Sequence, residues 1–484
     1  MAESLKQKAA KGLVWKFLGQ GGTQFIQFVS GIYIARILSP EDYGLVGMMA
    51  IFLGISQMFV DSGFRATLIQ KGNNVTHDDY NVVFIFNISV SLFFYALIYI
   101  GAPYIASFYD EPRLLWVARI LGINIILLSF TIIHQTILEK RLNFRTLTKI
   151  RLVSIFISVI IGVVLAINNF GVWSLVLMII SENLIRVILL WWVNKWIPTL
   201  NFDMKIFKEL FSKGIQIFVA GILRQFNLNI YAMIIGKYFT TADVGFYSQA
   251  KKLQNRIGDF ISVSIQGVMY PVQSLMKDDI PRLKNAVRKN VKLTTIIIVP
   301  ITVGLIVIAK SFILLFLTEK WLSSVYYLQI LSIAGLIYIL RASVSSFLMA
   351  LGKFNIVAGL NLFNTIILIF LIIIGIALNL TIQQFVIGKV IQELAGLVAI
   401  LYYSKRILKY NIIQVLIDIY PAILFSIIMG IVVFFMGSQY NISFIVLTLQ
   451  VLIGICVYVV LNYFFNRRLY FEIQNIIISF LKKK

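Results

Sequence analysis

Long apolar runs separated by short polar stretches repeat along almost the whole chain. Each run is long enough for a helix to cross the hydrocarbon core of a bilayer, which takes about twenty residues. The pattern therefore predicts an all-α integral membrane protein with about fourteen transmembrane helices. The predicted spans are residues 12–36, 43–69, 80–105, 114–138, 148–168, 171–195, 211–236, 242–274, 290–317, 324–350, 354–378, 382–404, 415–437 and 442–465.

A polar hairpin signature occurs twice, 201 positions apart. Residues 39–44 read Ser-Pro-Glu-Asp-Tyr-Gly, and residues 240–245 read Thr-Thr-Ala-Asp-Val-Gly. Each signature follows an apolar segment that ends in a small residue and a cation. The offset spans six helices, an even number, so the two copies should share one orientation and be related by an axis along the membrane normal. Such duplication is typical of transporters in which one half moves against the other around a central site.

The duplication predicts two six-helix repeats followed by two additional helices. We expect an N-terminal six-helix bundle at 1–196, an interfacial linker helix at 197–210, and a second six-helix bundle at 211–404. Residues 405–484 would hold two extra transmembrane helices and a basic tail. No predicted loop is longer than roughly twenty residues, which leaves no room for a folded catalytic domain of ordinary size.

Composition and charge agree with this picture. Hydrophobic residues make up 60% of the chain, charged residues 13%, and the mean hydropathy is +0.90, which excludes a soluble domain and a disordered chain. Lysine and arginine are concentrated in alternate loops, so the positive-inside rule predicts that both termini are cytoplasmic. The same rule explains most of the net charge of +23, so we expect no nucleic-acid partner. The basic loops would at most hold anionic lipid headgroups weakly.

The known signatures of chemistry are missing from the sequence. It contains no Walker A, Gly-x-Ser-x-Gly or His-Glu-x-x-His motif, each of which would have indicated a specific enzyme class. His77, His134 and the single cysteine, Cys456, show no metal-ligand spacing. We therefore expect no catalytic residue, no cofactor and no metal.

Charged residues inside the predicted spans are the best site candidates, because a charge at the bilayer centre is costly and usually faces a cavity or the protein interior. All four intramembrane carboxylates have a cation three or four positions away, on the same helix face. These pairs either neutralise each other or change partners during a coupling or gating step. They are Asp61 with Arg65, Glu182 with Arg186, Asp259 with Arg256, and Glu393 with Lys389.

Six further intramembrane cations have no nearby carboxylate in the sequence. Arg119 and Lys310 are close enough to a helix end to snorkel towards the headgroups. Counting all spans, ten cations face four anions, a surplus that suggests a visiting phosphate or diphosphate. The alternative is that these cations bind backbone carbonyls or water. The predicted anion-binding residues are Arg224, Lys251, Lys252, Arg256 and Arg341.

The first helix is polar without being charged. Gln20, Gln24 and Gln27 share one face of it. They would either bind sugar hydroxyls in a cavity or form hydrogen bonds between packed helices, which is the commoner use.

Residues near the N-terminus resemble the opening of a known family. The stretches at 11–15 (Lys-Gly-Leu-Val-Trp), 24–28 (Gln-Phe-Ile-Gln-Phe), 34–44 (Ile-Ala-Arg-Ile-Leu-Ser-Pro-Glu-Asp-Tyr-Gly) and 59–64 (Phe-Val-Asp-Ser-Gly-Phe) are similar to Wzx-type polysaccharide flippases. These belong to the multidrug/oligosaccharidyl-lipid/polysaccharide exporter superfamily. The resemblance implies a flippase that moves undecaprenyl-diphosphate-linked oligosaccharide to the outer leaflet of a bacterial inner membrane, for lipopolysaccharide, capsule or exopolysaccharide. It also implies polymerase and export machinery as possible partners.

Two other functions remain open at this point. A multidrug or cation antiporter of the same superfamily would need exposed carboxylates in its cavity, whereas here each carboxylate has a neighbouring cation. A membrane-embedded polysaccharide polymerase or ligase would need a large outer loop, whereas the predicted outer loops are short. The related lipid II flippases carry cations within helix one, which is rich in glutamine here, and this departure favours Arg224, Lys252, Arg256 and Arg341 as headgroup contacts.

Overall fold

The computed structural model describes the backbone of residues 5–199 and 201–467. The side chains at positions 5–11, 13–14, 16–17, 73, 216, 256–268 and 270–271 lie outside this description. The described ranges contain helices and no strand, as the predicted fold class requires. Two short 3₁₀ helices lie at Gly72–Asn74 and Glu319–Trp321. The α-helices are α1 Leu5–Ile37, α2 Pro40–Asp61, α3 Phe64–Gln70, α4 His77–Phe108, α5 Leu114–Lys140, α6 Phe144–Ile167, α7 Val172–Val193, α8 Met204–Tyr238, α9 Thr241–Ser274, α10 Ile280–Phe316, α11 Ser324–Ala350, α12 Phe354–Ala377, α13 Ile382–Leu408, α14 Ile412–Gln439 and α15 Phe444–Phe465.

Thirteen of the fourteen predicted spans correspond to one long helix each, and the span 43–69 is divided between α2 and α3. Twelve segments of the described chain are long and apolar enough to cross a membrane. The two other long helices, α1 and α9, each contain positions whose side chains lie outside the described part of the chain. The fold is therefore that of a multi-pass membrane protein.

Both copies of the hairpin signature begin a helix by the same mechanism. The Ser39 hydroxyl accepts a hydrogen bond from the backbone of Asp42, whose carboxylate in turn accepts one from the backbone of Ser39. Thr240 and Asp243 form the same reciprocal pair at the start of α9. Each capping box satisfies two backbone N–H groups that a helix start leaves unpaired.

The predicted span 43–69 is interrupted in the structure. Ser62 and Gly63 both adopt positive φ angles, 45° and 74°, and separate α2 from α3. A side chain at Gly63 would place its Cβ 2.6 Å from the carbonyl oxygen of Gly214. Glycine is therefore required both by the left-handed backbone and by the close approach of α8.

Helix lengths support the internal duplication. Helices α5 and α11 both have 27 residues and start 210 positions apart, at Leu114 and Ser324. Helices α6 and α12 both have 24 residues and start at Phe144 and Phe354, again 210 positions apart. The offset thus grows from 201 at the hairpins to 210 in the later helices, while the order of elements is preserved.

The chain divides into two compact units, residues 1–248 and 249–484. In the first unit, residues 201–203 are not helical and α8 runs without a break from Met204. The predicted linker helix therefore corresponds to an extended segment followed by the first turns of α8. Leu210 is fully buried there, in a cluster with Phe64 and Leu68. The predicted boundaries at 196, 210 and 404 remain predictions.

In the second unit, a buried carboxylate ties α14 to α10. Both oxygens of Asp418 accept hydrogen bonds from Arg288, at 2.7 and 2.8 Å. Lys292 lies 3.1 Å from the same carboxylate, and the Tyr410 hydroxyl donates to it at 3.0 Å. Only 1% of the Asp418 side chain is exposed, so this group of four side chains attaches the first of the two additional helices to the bundle.

Candidate functional site

A cluster of charges lies inside the second unit, between α11 and α13. Glu393 is buried and lies between two cations, with Arg341 Nη2 3.1 Å from one carboxylate oxygen and Lys389 Nζ 3.2 Å from the other. The predicted pairing of Glu393 with Lys389 is therefore formed. Arg341 also contacts this carboxylate, although its sequence neighbourhood offered no anion. We call Arg341, Lys389, Glu393 and Lys251 the cation cluster.

Polar neighbours hold the cluster in place. Lys389 donates a hydrogen bond to the side chain of Gln392 at 2.7 Å, and Gln392 donates to the backbone carbonyl of Asn364 on α12 at 3.1 Å. On α9, Lys251 is close enough to Lys389 for the two ammonium groups to repel each other. Gly396 leaves room for the Arg341 stem, because a Cβ there would lie 3.0 Å from Arg341 Cδ. Four helices thus converge on one charged group.

The Glu393 carboxylate does not pair with every hydrogen-bond donor of this cluster. The pair between Arg341 and Glu393 is close enough for an ion pair, but the facing carboxylate oxygen accepts no hydrogen bond, and Arg341 Nε is buried without a partner in the described structure. A guanidinium binds most strongly when it donates two parallel hydrogen bonds to one oxyanion. Arg341 and Lys389 together carry two positive charges, whereas Glu393 between them carries one negative charge.

A second charged group lies in the first unit, between α6 and α7. Arg186 donates to Glu182 at 2.5 Å, as the sequence predicted. Arg151 of α6 adds its positive charge to this pair. Arg151 was not among the predicted site residues, although it lies near the start of the predicted span 148–168. Its position two turns inside a helix that begins at Phe144 is the signal that would have identified it.

Arg65 acts on Asp61 through its charge and its backbone N–H, while its side chain is engaged elsewhere, so the predicted pairing of the two side chains stays a prediction. The side chain of Arg65 forms a two-point ion pair with Glu139 of α5, whose Oε2 accepts from Arg65 Nε at 3.0 Å. The break at Ser62 and Gly63 places Arg65 on α3 rather than one turn further along α2, so the i, i+4 geometry is lost. One carboxylate oxygen of Asp61 is buried and has no hydrogen-bond partner in the described structure.

The remaining predicted site residues lie on α1, α8 and α9. Arg224 and Lys252 are exposed on α8 and α9. Arg256 and Asp259 lie on α9, but their side chains are outside the described residues, so their predicted pairing stays a prediction. Among the polar residues of α1, the three glutamines are half-buried.

The two hairpin signatures contact each other at the cation-poor ends of the helices. A Cβ on Gly44 would overlap the carbonyl oxygen of Thr241, and a Cβ on Gly245 would overlap the carbonyl oxygen of Pro40. Because Pro40 and Thr241 occupy the same place in the two copies, the contact is reciprocal. We call these four residues the hairpin latch.

The loop between α4 and α5 supports the latch. Glu111 accepts a hydrogen bond from the hydroxyl of Thr241 at 3.1 Å, and Arg113 donates to both Glu111 oxygens at 2.8 Å. The hydrogen bonds from Arg113 lower the pKa of Glu111 below its usual value. The Tyr109 hydroxyl donates to the backbone of Met48 at 3.3 Å, and burial raises its pKa. The loop therefore joins α2 to the second hairpin signature.

Comparison with known proteins identifies the family. Residues 33–326 match a family described as polysaccharide biosynthesis protein. The teichuronic acid biosynthesis protein TuaB of Bacillus subtilis is 26% identical over 72% of this chain and 73% of its own length. The lipopolysaccharide biosynthesis protein WzxC of Escherichia coli is 21% identical over 77% of this chain and 76% of its own. The fold resembles that of the lipid II flippase MurJ in an inward closed conformation, with a TM-score of 0.77, 16% identity, and coverage of 95% of this chain and 99% of the other. The chain therefore belongs to the polysaccharide biosynthesis protein family, which confirms its resemblance to Wzx-type flippases of the multidrug/oligosaccharidyl-lipid/polysaccharide exporter superfamily.

Proposed function

We propose that this protein moves undecaprenyl-diphosphate-linked oligosaccharide units across a bacterial inner membrane for cell-surface polysaccharide synthesis. The observation that carries the proposal is the cation cluster inside a bundle of long apolar helices, where Arg341 and Lys389 flank Glu393 and Lys251 lies near Lys389. The family match and the names of the relatives support a role in polysaccharide assembly. A diphosphate is the anionic part of the lipid-linked unit.

Arg341 and Lys389 supply complementary contacts to such a headgroup. Arg341 offers a planar fork that fits two phosphate oxygens, and Lys389 offers a mobile point charge. In this proposal Lys251 joins them, and the exposed cations Arg224 and Lys252 guide the headgroup towards the cluster. Arg256 remains a proposed contact on the same helix as Lys252. The glutamines of α1 would bind sugar hydroxyls, while the polyprenyl chain stays in lipid.

The cycle we propose alternates between inward and outward access. With cytoplasmic termini, as the distribution of lysine and arginine predicts, the hairpin latch lies on the outer side. Closing it would seal the outer side while the headgroup enters from the cytoplasm. Opening it would release the oligosaccharide outside. The pair of Glu182 and Arg186 and the pair of Arg65 and Glu139 are candidates for gating contacts that change during this movement.

The alternative functions have weaker support. A cation antiporter needs an accessible carboxylate to bind its cargo, but Glu393 and Glu182 already contact arginine or lysine side chains, and the unpartnered oxygen of Asp61 is buried. A polymerase or ligase needs an outer catalytic domain, but the outer connections at 109–113 and 440–443 are only a few residues long.

The test is to deplete the protein in its native bacterium and to measure the lipid-linked glycans with a probe that cannot cross the membrane. We expect a diphosphate-linked oligosaccharide to accumulate on the cytoplasmic face. Arg341→Ala should fail to reverse this accumulation, whereas Arg282→Ala should reverse it, because the pair of Arg282 with Asp279 is exposed outside the cluster. Completed units on the outer face would instead indicate a polymerase or ligase, and an unchanged glycan pool would favour an antiporter.

A further inference from the structure

We infer that the junction between α2 and α3 is a two-state switch in which Arg65 exchanges one carboxylate partner for another. In the form that the structure describes, which we call the bent form, Arg65 pairs with Glu139. In the straight form, α2 would continue through the bend into α3, and Arg65 would pair with Asp61. The inference deepens the proposed function, on which the role of this switch as a cytoplasmic gate rests, because the junction lies at the end of α2 opposite the hairpin latch.

The backbone of the bent form depends on a close contact with α8. Ser62 is buried and has a φ angle of 45°, in the left-handed region that side chains disfavour. Gly63 follows with a φ angle of 74°. A Cβ on Gly63 would lie 2.6 Å from the carbonyl oxygen of Gly214, and a Cβ on Gly214 would lie 2.7 Å from the carbonyl oxygen of Ser62. Unfavourable backbone angles persist only where surrounding contacts fix them, so straightening the bend and leaving α8 would be one event.

Side chains also hold α3 against α8 and α5. Phe64 is fully buried, and its ring centroid lies 6.1 and 6.3 Å from those of Phe207 and Phe211 on α8. Arg65 Nε donates to Glu139 Oε2 on α5 at 3.0 Å, and another guanidinium nitrogen of Arg65 contacts the second carboxylate oxygen. These are the contacts that straightening would break.

Asp61 is the group that the bent form leaves incompletely paired. Its carboxylate accepts a hydrogen bond from the backbone N–H of Arg65, but its Oδ1 is buried and has no hydrogen-bond partner in the described structure. A buried acceptor without a donor is destabilising, because it has lost its hydrogen bonds to water without replacing them. The bent form thus contains an unsatisfied carboxylate oxygen four positions before a cation that could pair with it.

The sequence is compatible with the straight form. Asp61 and Arg65 are spaced i, i+4 with the acid first, which is the favourable order for an ion pair on a continuous helix. Residues 40–70 also have the length and hydropathy of a single membrane span. Straightening would relieve the φ angle of Ser62 and give Asp61 a charged partner, while the pair with Glu139 and the contact with α8 would be lost. Because one ion pair replaces another, the two forms can lie close in free energy, as a switch requires.

The test measures how often α3 leaves α8, by labelling a cysteine placed between them. Thr67 is 2% exposed, and its hydroxyl oxygen lies 3.5 Å from the position of a Cβ on Gly214. Thr67→Cys is introduced after Cys456→Ser, and the full-length protein in lipid nanodiscs is treated with a water-soluble maleimide. The labelling rate follows the population of the straight form when exchange between the forms is faster than labelling.

The two carboxylates should act in opposite directions. Glu139→Gln removes the partner of Arg65 in the bent form, so the labelling rate should rise about twofold to fivefold, as expected for a partly exposed ion pair. Asp61→Asn removes the partner of Arg65 in the straight form and replaces the unsatisfied carboxylate of the bent form with a neutral amide, so the rate should fall by a similar factor. A residue that only stabilised the bent form would raise the rate when replaced, which makes the direction of the change at Asp61 the decisive readout.

Four further variants make the result interpretable. Asp61→Glu keeps a carboxylate and should not lower the labelling rate, whereas Asp61→Ser should lower it and supplies the answer if Asp61→Asn does not fold. Gly63→Ala should raise the rate at least about tenfold, because the bent form has no room for a Cβ there. The matched control is Glu209→Gln, which breaks a pair of glutamate and lysine on the exposed start of α8 and should leave the rate unchanged.

The outcomes separate this inference from the proposed function. A labelling rate at or above that of wild type in Asp61→Asn and Asp61→Ser would overturn the switch, because Asp61 would then have no role in a straight form. An increase in Glu209→Gln equal to that in Glu139→Gln would show a general loosening of the helices and would also overturn it. Labelling requires no substrate, so a failure of the glycan-accumulation test would overturn the proposed function without changing the result obtained here.

Discussion

Substituting alanine for Gly44 should open the hairpin latch. The added methyl group would overlap the carbonyl oxygen of Thr241, and a carbon and an oxygen that are not bonded stay more than about 3 Å apart, so the two helix starts must separate by about 1 Å or more. Overpacking of this kind typically costs about 1–3 kcal/mol. Applied to the closed state alone, that cost changes the ratio of closed to open latch by roughly 5- to 150-fold.

The assay uses a reporter cysteine just below the latch. Cys456, the single cysteine of the chain, is first replaced by serine, and Ser248→Cys is then introduced. The Ser248 hydroxyl lies 2.6 Å from the position of a Cβ on Gly47, so this site is covered by α2 while the latch is closed. Gly44→Ala should increase labelling by an impermeant maleimide at least about fivefold. Because the contact is reciprocal, Gly245→Ala should have a similar effect.

Gly101→Ala is the matched control. Gly101 lies within α4, and a Cβ there meets no atom within 4 Å, so its replacement by a better helix former should leave labelling unchanged. The reasoning would be refuted if Gly44→Ala labelled at the wild-type rate, or if Gly101→Ala labelled as fast as Gly44→Ala. In the first case the helix starts would be able to accommodate a methyl group without separating.

Three further predictions concern stability and pH. Asp418→Asn should lower the free energy of unfolding by about 3 kcal/mol, because it leaves Arg288 and Lys292 without their buried partner. The control Asp279→Asn loses an exposed pair and should lower it by less than about 1 kcal/mol. Thermal unfolding in detergent measures both variants. The pKa of Glu111 is lowered from 4.5, so the stabilisation that Glu111 gives the latch is complete above that pH and is lost only as the pH falls through the lowered pKa. Labelling at Ser248→Cys should therefore be constant from pH 8 to pH 5. An increase in labelling across that range would contradict the role of ionised Glu111 in the latch. His134→Phe should unfold at or above the wild-type temperature. The centroid of the buried imidazole lies 4.6 Å from that of a Trp191 ring, and its nitrogens have no hydrogen-bond partner in the described structure, so an apolar ring can replace it. His134→Ala should lower the free energy of unfolding by about 2–4 kcal/mol, because it leaves a cavity.

Much of the fold follows from the sequence because a bilayer imposes one strong rule, that each span must be a long apolar helix. Hydropathy therefore located the long helices, and the capping residues at Ser39 and Thr240 fixed where two of them start. The break at Ser62 and Gly63 was missed because apolar residues continue on both sides of it. Whether the backbone turns there depends on the approach of α8 at Gly214, which no local pattern encodes.

The candidate site was predictable only where its contacts are local. The pair of Lys389 and Glu393 lies within one helix turn, so spacing alone indicated it. The ion pair of Arg65 with Glu139 joins residues 74 positions apart, and Arg341 reaches Glu393 from another helix. Such partners depend on helix packing, which the single sequence does not specify. The charge surplus was still informative, because it did not require the partners to be known.

The two repeats share their hairpin signature but differ in the charged residues inside their bundles. The hairpin signature is kept in both copies, and each copy contacts the backbone of the other through a glycine, Gly44 or Gly245. A contact between two copies constrains both sequences equally, so it preserves the repeat. The bundle interiors are under no such constraint: the first repeat has Asn183 where the second has Glu393. Under the proposed function, the hairpins present in both repeats would close the pathway, and charges present in only one repeat would contact the headgroup.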